Sequence, residues 1–152
     1  MLEITNTTKA KIDTKFLQKA AQAAFAVLHT EKDISLVFVG DAKMKEVNKK
    51  YRRKNKTTDV LSFEELNEIF ISLPFALRSL GEGWGAKKQA RLRQKASAGR
   101  AKLLKTSLKV ELTRLLTHGI VHLNGYDHEK SACEAERMFA VETKILDKIN
   151  EK

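Results

Sequence analysis

The segment from Thr117 to His128 constrains this chain more than any other, because it holds three of the four histidines. His118 and His122 are four residues apart, which places both imidazoles on one face of a helix, one turn from each other. Gly125 can end that helix and reverse the chain, and the turn that follows can bring His128 to the same point. Three imidazoles without a fourth protein ligand are typical of a catalytic zinc site with a position open for water.

The three imidazoles predict a metal site, but they do not identify the metal ion. Zn²⁺ suits three nitrogen ligands, and we expect one Zn²⁺ per chain, although imidazole also accepts Ni²⁺, Cu²⁺ or Fe²⁺. Asp127 lies next to the third histidine and has two candidate roles. Its carboxylate can orient an imidazole, or it can stabilise the turn after Gly125.

The residue directly after the first histidine is Gly119. Zinc peptidases with the H-E-x-x-H motif carry a glutamate there, which serves as their general base. The glycine therefore disfavours a peptidase. The histidine pattern still predicts a metal ion. Such an ion lowers the pKa of its bound water, so that the water becomes a nucleophile or a source of hydroxide.

The net charge of +10 is concentrated in two segments. Residues 43–56 hold eight lysine or arginine residues against one acid, and residues 76–109 hold ten against one. The rest of the chain is net acidic. Clustered positive charge favours a polyanionic partner, with RNA the first candidate. The alternative is a solvated lysine-rich surface.

With a polyanion such as RNA as the substrate, the expected reaction is hydrolysis of a phosphodiester bond. Besides a nucleophile, this reaction needs positive charge beside the phosphate. Arginine is the best side-chain donor, because its guanidinium fork matches two phosphate oxygens. Arg52 and Arg53 lie at the end of a predicted helix, ahead of a predicted strand, and they are the candidates. The alternative is that either is an ordinary exposed cation.

The predicted elements favour an α+β fold, with helices around one small mixed sheet of four strands. Apolar alternation and β-rich runs predict strands at residues 2–5, 34–40, 60–63 and 68–72. Helical periodicity and capping signals predict helices at about residues 14–29 and 42–52, a third that begins at about Ser107 and carries His118 and His122, and a last one that starts at the capping box of Ser131 and includes Ile149. Residues 76–106 are predicted to be the least regular part of the chain, with a basic helix at about residues 86–98.

The second helix carries two specific expectations. Asp41 is placed to be its N-cap, and Met44, Val47 and Tyr51 are spaced to form its buried side. In the last helix, Ser131 begins a capping box.

The length of 152 residues suits one domain. The first residues do not resemble a signal peptide, and no apolar run approaches membrane-spanning length. Cys133 is the only cysteine, so no disulfide partner is expected. We therefore expect a cytoplasmic protein without a membrane partner.

Two sequence blocks resemble the YbeY family of bacterial rRNA maturation factors. Residues 118–128, His-Gly-Ile-Val-His-Leu-Asn-Gly-Tyr-Asp-His, are similar to the family signature H-G-x-x-H-L-x-G-Y-D-H. Residues 47–63, Val-Asn-Lys-Lys-Tyr-Arg-Arg-Lys-Asn-Lys-Thr-Thr-Asp-Val-Leu-Ser-Phe, match its second block, and Met138 and Glu142 fit its closing pattern. The resemblance covers most of the chain from about Ile34 onward.

The resemblance implies a metal-dependent endoribonuclease that is specific for single strands and has a zincin-like hydrolase core. It implies action in the 3′-end maturation of 16S rRNA and in ribosome quality control, with the small ribosomal subunit as partner. His118, His122 and His128 fall on the family's zinc ligands, and Arg52 falls on its catalytic arginine. The alternative is a ribosome-assembly factor with a mainly structural zinc ion and little nuclease activity.

The chain also departs from the family pattern. Thr57 stands where the family usually has proline, and Asn67-Glu68 stands where it usually has Gly-Asp. The segment at about residues 76–106 is longer and more basic than usual, and we expect it to be an inserted element that contacts RNA. The candidate RNA-binding residues in and near the two basic segments are Arg53, Lys54, Lys56, Lys87, Lys88, Arg91 and Arg93.

Overall fold

The computed structural model describes residues 1–82 and 97–151 of the chain. The strands are β1 (Leu2–Asn6), β2 (Ile34–Val39), β3 (Val60–Phe63) and β4 (Glu68–Ser72). The helices are α1 (Lys15–Leu28), α2 (Asp41–Arg52), α3 (Leu73–Glu82), α4 (Ser97–Leu123) and α5 (Ala132–Asn150). The predicted strands and the predicted α+β class are confirmed.

The four strands form one mixed sheet in the order β1-β2-β4-β3. β1 and β4 both run parallel to β2, and β3 pairs antiparallel with β4. Leu36 of β2 pairs with Ile69 of β4, and Leu61 of β3 pairs with Phe70. β3 is therefore an edge strand, and its outer edge is available to form the wall of a cleft.

Strand alternation divides the apolar side chains between the two faces of the sheet. On one face, Leu36, Phe38, Ile69 and Ile71 are fully buried in a large core that includes side chains of α1, α4 and α5. On the other face, Val39 and Leu61 pack with Met44 and Val47 of α2. Among the described helices, only α2 contributes side chains to this smaller core. The last turn of α2 lies at the β3 edge.

The expectation that Tyr51 belongs to the buried side of α2 is wrong. Met44 and Val47 are buried, but Tyr51 is 51% exposed. Its ring lies against Phe63, with the ring centroids 5.0 Å apart. Phe63 is the last residue of the edge strand β3, and within residues 1–82 and 97–151 no further strand covers the outer side of the Tyr51 ring.

The expectation that Asp41 is the N-cap of α2 is also wrong. Gly40 is the N-cap, and Asp41 is the first helical residue. The Asp41 carboxylate accepts hydrogen bonds from Arg78 Nη1 at 2.6 Å, Arg78 Nη2 at 3.0 Å and Ser72 Oγ at 3.0 Å. The hydrogen bond from Arg78 is the main cause that lowers the pKa of Asp41. Asp41 therefore ties α2 to β4, to α3 and to the loop before β3, because Ser72, Arg78 and Thr57 all donate hydrogen bonds to its carboxylate.

Part of the segment predicted to be irregular is helical. α3 extends to Glu82, and α4 begins at Ser97, ten residues before the predicted start at Ser107. Pro74 lies in the first turn of α3, where its missing N–H removes no helical hydrogen bond. Most of the basic helix predicted at residues 86–98 lies outside the described residues.

The capping prediction for the last helix is confirmed, because Ser131 Oγ accepts a hydrogen bond from the N–H of Glu134 at 3.1 Å. Among the described residues, none of the helices has the length and apolar character needed to cross a membrane. Cys133 is exposed and free.

Gly119 of α4 packs closely against Ile69 of β4. A Cβ atom there would lie 2.9 Å from Cδ1 and 3.0 Å from Cγ2 of Ile69, which is fully buried. Real Cβ atoms are essentially never found closer than 3.0 Å to such an atom. Any side chain at position 119 therefore requires Ile69 to move, which disfavours a glutamate there.

We predict that Gly119→Ala destabilises the protein. Overpacking costs about 1–3 kcal/mol, and the better helix propensity of alanine returns about 1 kcal/mol. The expected result is a loss of about 1 kcal/mol in the free energy of unfolding, measured by urea denaturation. Gly40→Ser is the control, because a Cβ at Gly40 meets no atom within 4 Å.

The same clash predicts coupling between positions 119 and 69. Ile69→Val removes Cδ1, the atom nearest to the added Cβ. The double variant should therefore lose less stability than the sum of the two single variants. Strict additivity would show that the two residues do not touch as described.

Candidate active site

The three histidines come from the end of α4 and the turn that follows it. His118 and His122 occupy the last two turns of α4. Gly125 then takes a positive φ of 91°, which favours glycine, and its N–H donates to the carbonyl of His122 at 3.0 Å. The chain reverses there, as the sequence predicts, and brings His128 back beside the helix.

The three imidazoles form one compact cluster. Ring centroids lie 4.6 Å apart for His118 and His122, 5.4 Å for His118 and His128, and 5.2 Å for His122 and His128. One ring nitrogen from each lies within 4.8 Å of the others. Two nitrogens on a tetrahedral Zn²⁺ are roughly 3.3 Å apart, given bonds of about 2.0–2.1 Å. The donor set therefore fits a divalent metal ion after small ring rotations.

The carboxylate of Glu142 in α5 contacts His118, one of the three clustered imidazoles. Its Oε1 lies 2.6 Å from Nδ1 of His118, and the two side chains are only 22% and 26% exposed. A carboxylate at Nδ1 favours the tautomer that carries its proton there, which leaves Nε2 as the ligand atom. Such a carboxylate–histidine pair is a common companion of metal-binding histidines.

The sequence does not predict Glu142 as a site residue. Glu142 stands out in the sequence only because it fits the closing pattern of the family. A signal was available, because Glu142 lies one helical turn after the buried Met138 and three residues before the buried Ile145. A carboxylate within an apolar stripe needs a partner. The sequence does not reveal that the partner is His118, since it lies 24 residues away on another helix.

The surroundings of His122 lower its pKa, which favours the neutral imidazole. Desolvation is the main cause that lowers the pKa of His122, and the neighbouring His118 and His128 lower it further. A hydrogen bond to the backbone of Tyr126 and the charge of Asp127 act in the opposite direction. Neutral imidazole is the form that binds a metal ion.

Asp127 makes a contact within the turn. Its Oδ1 accepts a hydrogen bond from the N–H of Glu129 at 2.9 Å, which is the main cause that lowers the pKa of Asp127. Its charge also acts on His122. The carboxylate seen at an imidazole nitrogen is that of Glu142, so an orienting role for Asp127 stays a prediction.

The histidines lie in a cleft of about 1010 Å³. One side is the edge strand β3 with the loop before it and the turn after it; the other is the turn at residues 125–130. Arg52, Lys54 and Lys56 also line this cleft, so the structure brings them to the same cavity as the three histidines. Lys87, Lys88, Arg91 and Arg93 lie outside the described residues.

Arg52 and Arg53 are placed differently. Nη2 of Arg52 donates to the carbonyl of Ser62 at 3.0 Å, and its guanidinium lies 5.8 Å from the centroid of the Phe63 ring. These contacts hold Arg52 against β3 within the cleft. Arg53 is the C-cap of α2, with φ 56°, and it is not among the described residues that line the cleft.

The positive charge within the cleft is local. Four lysine and arginine residues line it, against five aspartate and glutamate residues. Three of the four cations, Arg52, Lys54 and Lys56, belong to the end of α2 and the loop that follows it. A phosphate would therefore be attracted to that wall and not to the cleft as a whole.

The two short departures from the family pattern have structural explanations. Thr57 Oγ1 donates to Asp41 Oδ1 at 3.3 Å, which ties the loop to the body of the protein where a proline ring would otherwise stiffen it. Asn67 takes a positive φ of 51°, a conformation in which asparagine is the best substitute for glycine.

Comparison with known proteins places the chain among named relatives. The family model described as Endoribonuclease YbeY matches residues 3–150. A relative named Endoribonuclease YbeY from Thermodesulfovibrio yellowstonii is 45% identical over 113 residues, which is 74% of this chain and 64%, less than two thirds, of that relative. A relative of the same name from Phytoplasma australiense is 36% identical over 149 residues, covering 98% of this chain and 95% of its own.

A solved structure also resembles this fold. The solution structure of TM1509 from Thermotoga maritima superimposes with a TM-score of 0.58 and 22% sequence identity, covering 98% of this chain and 89% of that one. A likeness at this identity bears on the fold alone.

We predict that Glu142→Gln weakens metal binding by about tenfold, since removal of such a carboxylate partner costs about 10–100-fold in affinity. Glutamine can still accept a hydrogen bond but carries no charge to favour one tautomer. The measurement is competitive titration of metal-free protein with Zn²⁺. Glu136→Gln is the control, because Glu136 is an exposed residue of the same helix. Equal affinities for the two variants would contradict the proposed contact.

Proposed function

The chain belongs to the Endoribonuclease YbeY family, and on this premise we propose that it is a metal-dependent endoribonuclease specific for single-stranded RNA. The observation that carries the proposal is the shared cleft, where three clustered imidazoles and Arg52 line one cavity. The net charge of +10 supports a polyanionic substrate.

The imidazoles of His118, His122 and His128 would hold the metal ion, with Zn²⁺ as the proposed ion. A divalent ion bound there would supply Lewis acidity, which lowers the pKa of water and polarises a phosphoryl oxygen. The Glu142 carboxylate at Nδ1 of His118 would favour the tautomer with its proton on Nδ1, which leaves Nε2 free to bind the ion. The lowered pKa of the half-buried His122 favours the neutral imidazole, which is the form that binds a metal ion.

Arg52 is proposed to bind the scissile phosphate. A guanidinium group carries five N–H donors, and the structure shows Nη2 of Arg52 engaged with Ser62. The remaining donors can bind two phosphate oxygens as a fork. Because the contacts to Ser62 and Phe63 already fix the side chain, little conformational entropy is lost when the phosphate binds.

The biological substrate is proposed to be ribosomal RNA. Family membership and the clustered positive charge support action on the 3′ end of 16S rRNA and in ribosome quality control, on the small subunit in the cytoplasm. The basic segment at about residues 76–106 is proposed to be an inserted element that contacts RNA or the ribosome.

Substitutions at the two halves of the site should separate their roles. His118→Ala should lower both the metal content and the cleavage of a single-stranded oligoribonucleotide, the latter by at least about 100-fold. Arg52→Gln should retain the metal and lower cleavage by about 100- to 1000-fold, as does removal of other transition-state donors. The measurements are metal analysis and single-turnover cleavage.

Arg53→Gln is the matched control, because Arg53 is the next residue and lies outside the lining of the cleft. It should lower cleavage far less than Arg52→Gln. Equal cleavage by all variants would point to a contaminating nuclease and would overturn the proposal. Tight RNA binding without cleavage by the wild type would instead favour the assembly-factor role.

The basic segment makes a separate electrostatic prediction. Replacing Lys87, Lys88, Arg91 and Arg93 with glutamine should flatten the salt dependence of RNA binding, because fewer phosphates are then neutralised by the protein. The slope of log K against log salt should fall by about 0.7 for each such phosphate, or by up to about 3 in total. Cleavage of an oligonucleotide short enough to lie within the cleft should change little. An unchanged slope would refute a contact between this segment and RNA.

A further inference from the structure

Tyr51 is an exposed aromatic residue at the cleft that neither the metal centre nor the phosphate site uses. Its side chain is 51% exposed, although its ring is large and apolar. Among the six large hydrophobic residues that are exposed in the described chain, Tyr51 and Leu66 both line the cleft. Two such residues in one polar cavity suggest a surface that a ligand covers.

The Tyr51 ring is held in place by a chain of aromatic contacts. It packs on Phe63 with an interplanar angle of 53°, and Phe63 packs edge-on against Phe70 with centroids 5.8 Å apart. Phe63 and Phe70 in turn pack against the buried cluster beneath α2. A ring anchored in this way is a rigid platform and loses little conformational entropy when a ligand stacks on it.

Position in the chain links this platform to the phosphate site. Tyr51 directly precedes Arg52 in the last turn of α2, and Arg52 lies over the same Phe63 ring on which Tyr51 packs. A ligand that places a phosphate at Arg52 therefore brings its neighbouring groups close to Tyr51. In a nucleic acid, the flat group nearest to a phosphate is a base.

We propose that Tyr51, backed by Phe63, is a stacking subsite for one unpaired base of single-stranded RNA beside the phosphate bound by Arg52. The inference rests on the proposed function and deepens it. Aromatic side chains bind single strands by stacking with unpaired bases. A base within a duplex is already stacked on both faces, so this subsite gives a physical reason for a preference for single strands.

Lys50 is the side chain that a base would have to displace. Its Nζ lies 5.2 Å from the centroid of the Tyr51 ring, and Lys50 is exposed. A flexible ammonium group of this kind can leave the ring and pair with a phosphate of the incoming strand. The cation–π contact is therefore compatible with base stacking.

Two probes separate stacking from backbone binding: an adenosine oligoribonucleotide, and a strand of equal length whose sugar–phosphate backbone lacks bases. Tyr51→Ala should bind the adenosine strand about tenfold more weakly than the wild type does, because removal of a base–aromatic stack typically has an effect of this size. It should bind the abasic strand with the same affinity as the wild type. Tyr51→Trp should retain the affinity, and Tyr51→Leu, which keeps an apolar side chain, should lose it as alanine does.

Phe139→Ala is the matched control, because Phe139 is an aromatic residue 72% exposed on α5 and is not among the described residues that line the cleft. It should leave both affinities unchanged. Metal content and thermal unfolding of each variant report whether the fold is intact. A full rescue by leucine, an equal loss on both probes or no loss on either would overturn the stacking subsite.

A failure of the proposed nuclease function would give a different experimental result from a failure of the stacking subsite. A wild type that binds the adenosine strand but does not cleave it would overturn the endoribonuclease, and the binding comparison between the Tyr51 variants would still decide the subsite. Conversely, cleavage by the wild type with no effect of Tyr51→Ala on binding would overturn the subsite alone.

Discussion

The close packing of α4 against β4 at Gly119 is the contact on which the rest of the site depends. Only a glycine lets the helix approach Ile69 so closely. His118 and His122 belong to the same part of α4 as Gly119, and both line the cleft that the edge strand β3 and Arg52 also line. Arg52 is held there by the carbonyl of Ser62. The packing at Gly119 thus fixes the part of α4 that carries two of the three clustered imidazoles, and it disfavours the glutamate of a peptidase at that position.

Local patterns in the sequence predict much of this molecule. Alternating apolar residues identify the strands, the histidine spacing identifies one helical face, and Gly125 identifies the reversal that adds the third imidazole. Each of these depends on residues close together in the chain. The histidine cluster is therefore the most predictable part of the site, since its three residues lie within eleven positions, 118–128.

The features that local patterns miss depend on distant residues. Asp41 has the local pattern of a helix cap, but Arg78, 37 residues away, takes its carboxylate. Tyr51 has the spacing of a buried helical residue, yet α2 ends at the edge of the sheet and leaves its ring half exposed. Glu142 acquires its role only when α5 packs beside α4. Each miss thus depends on how distant elements pack together, and of these three residues only Tyr51 lines the cleft.

The central claim, that a single metal ion held by the three histidines is required for RNA cleavage, is tested most directly by titration. Metal-free protein would receive increasing Zn²⁺, and bound metal and cleavage of a single-stranded oligoribonucleotide would be measured in the same samples. We expect cleavage to rise in proportion to bound metal and to level off at one ion per chain. Full cleavage by the metal-free protein, or none at one bound ion per chain, would contradict the claim.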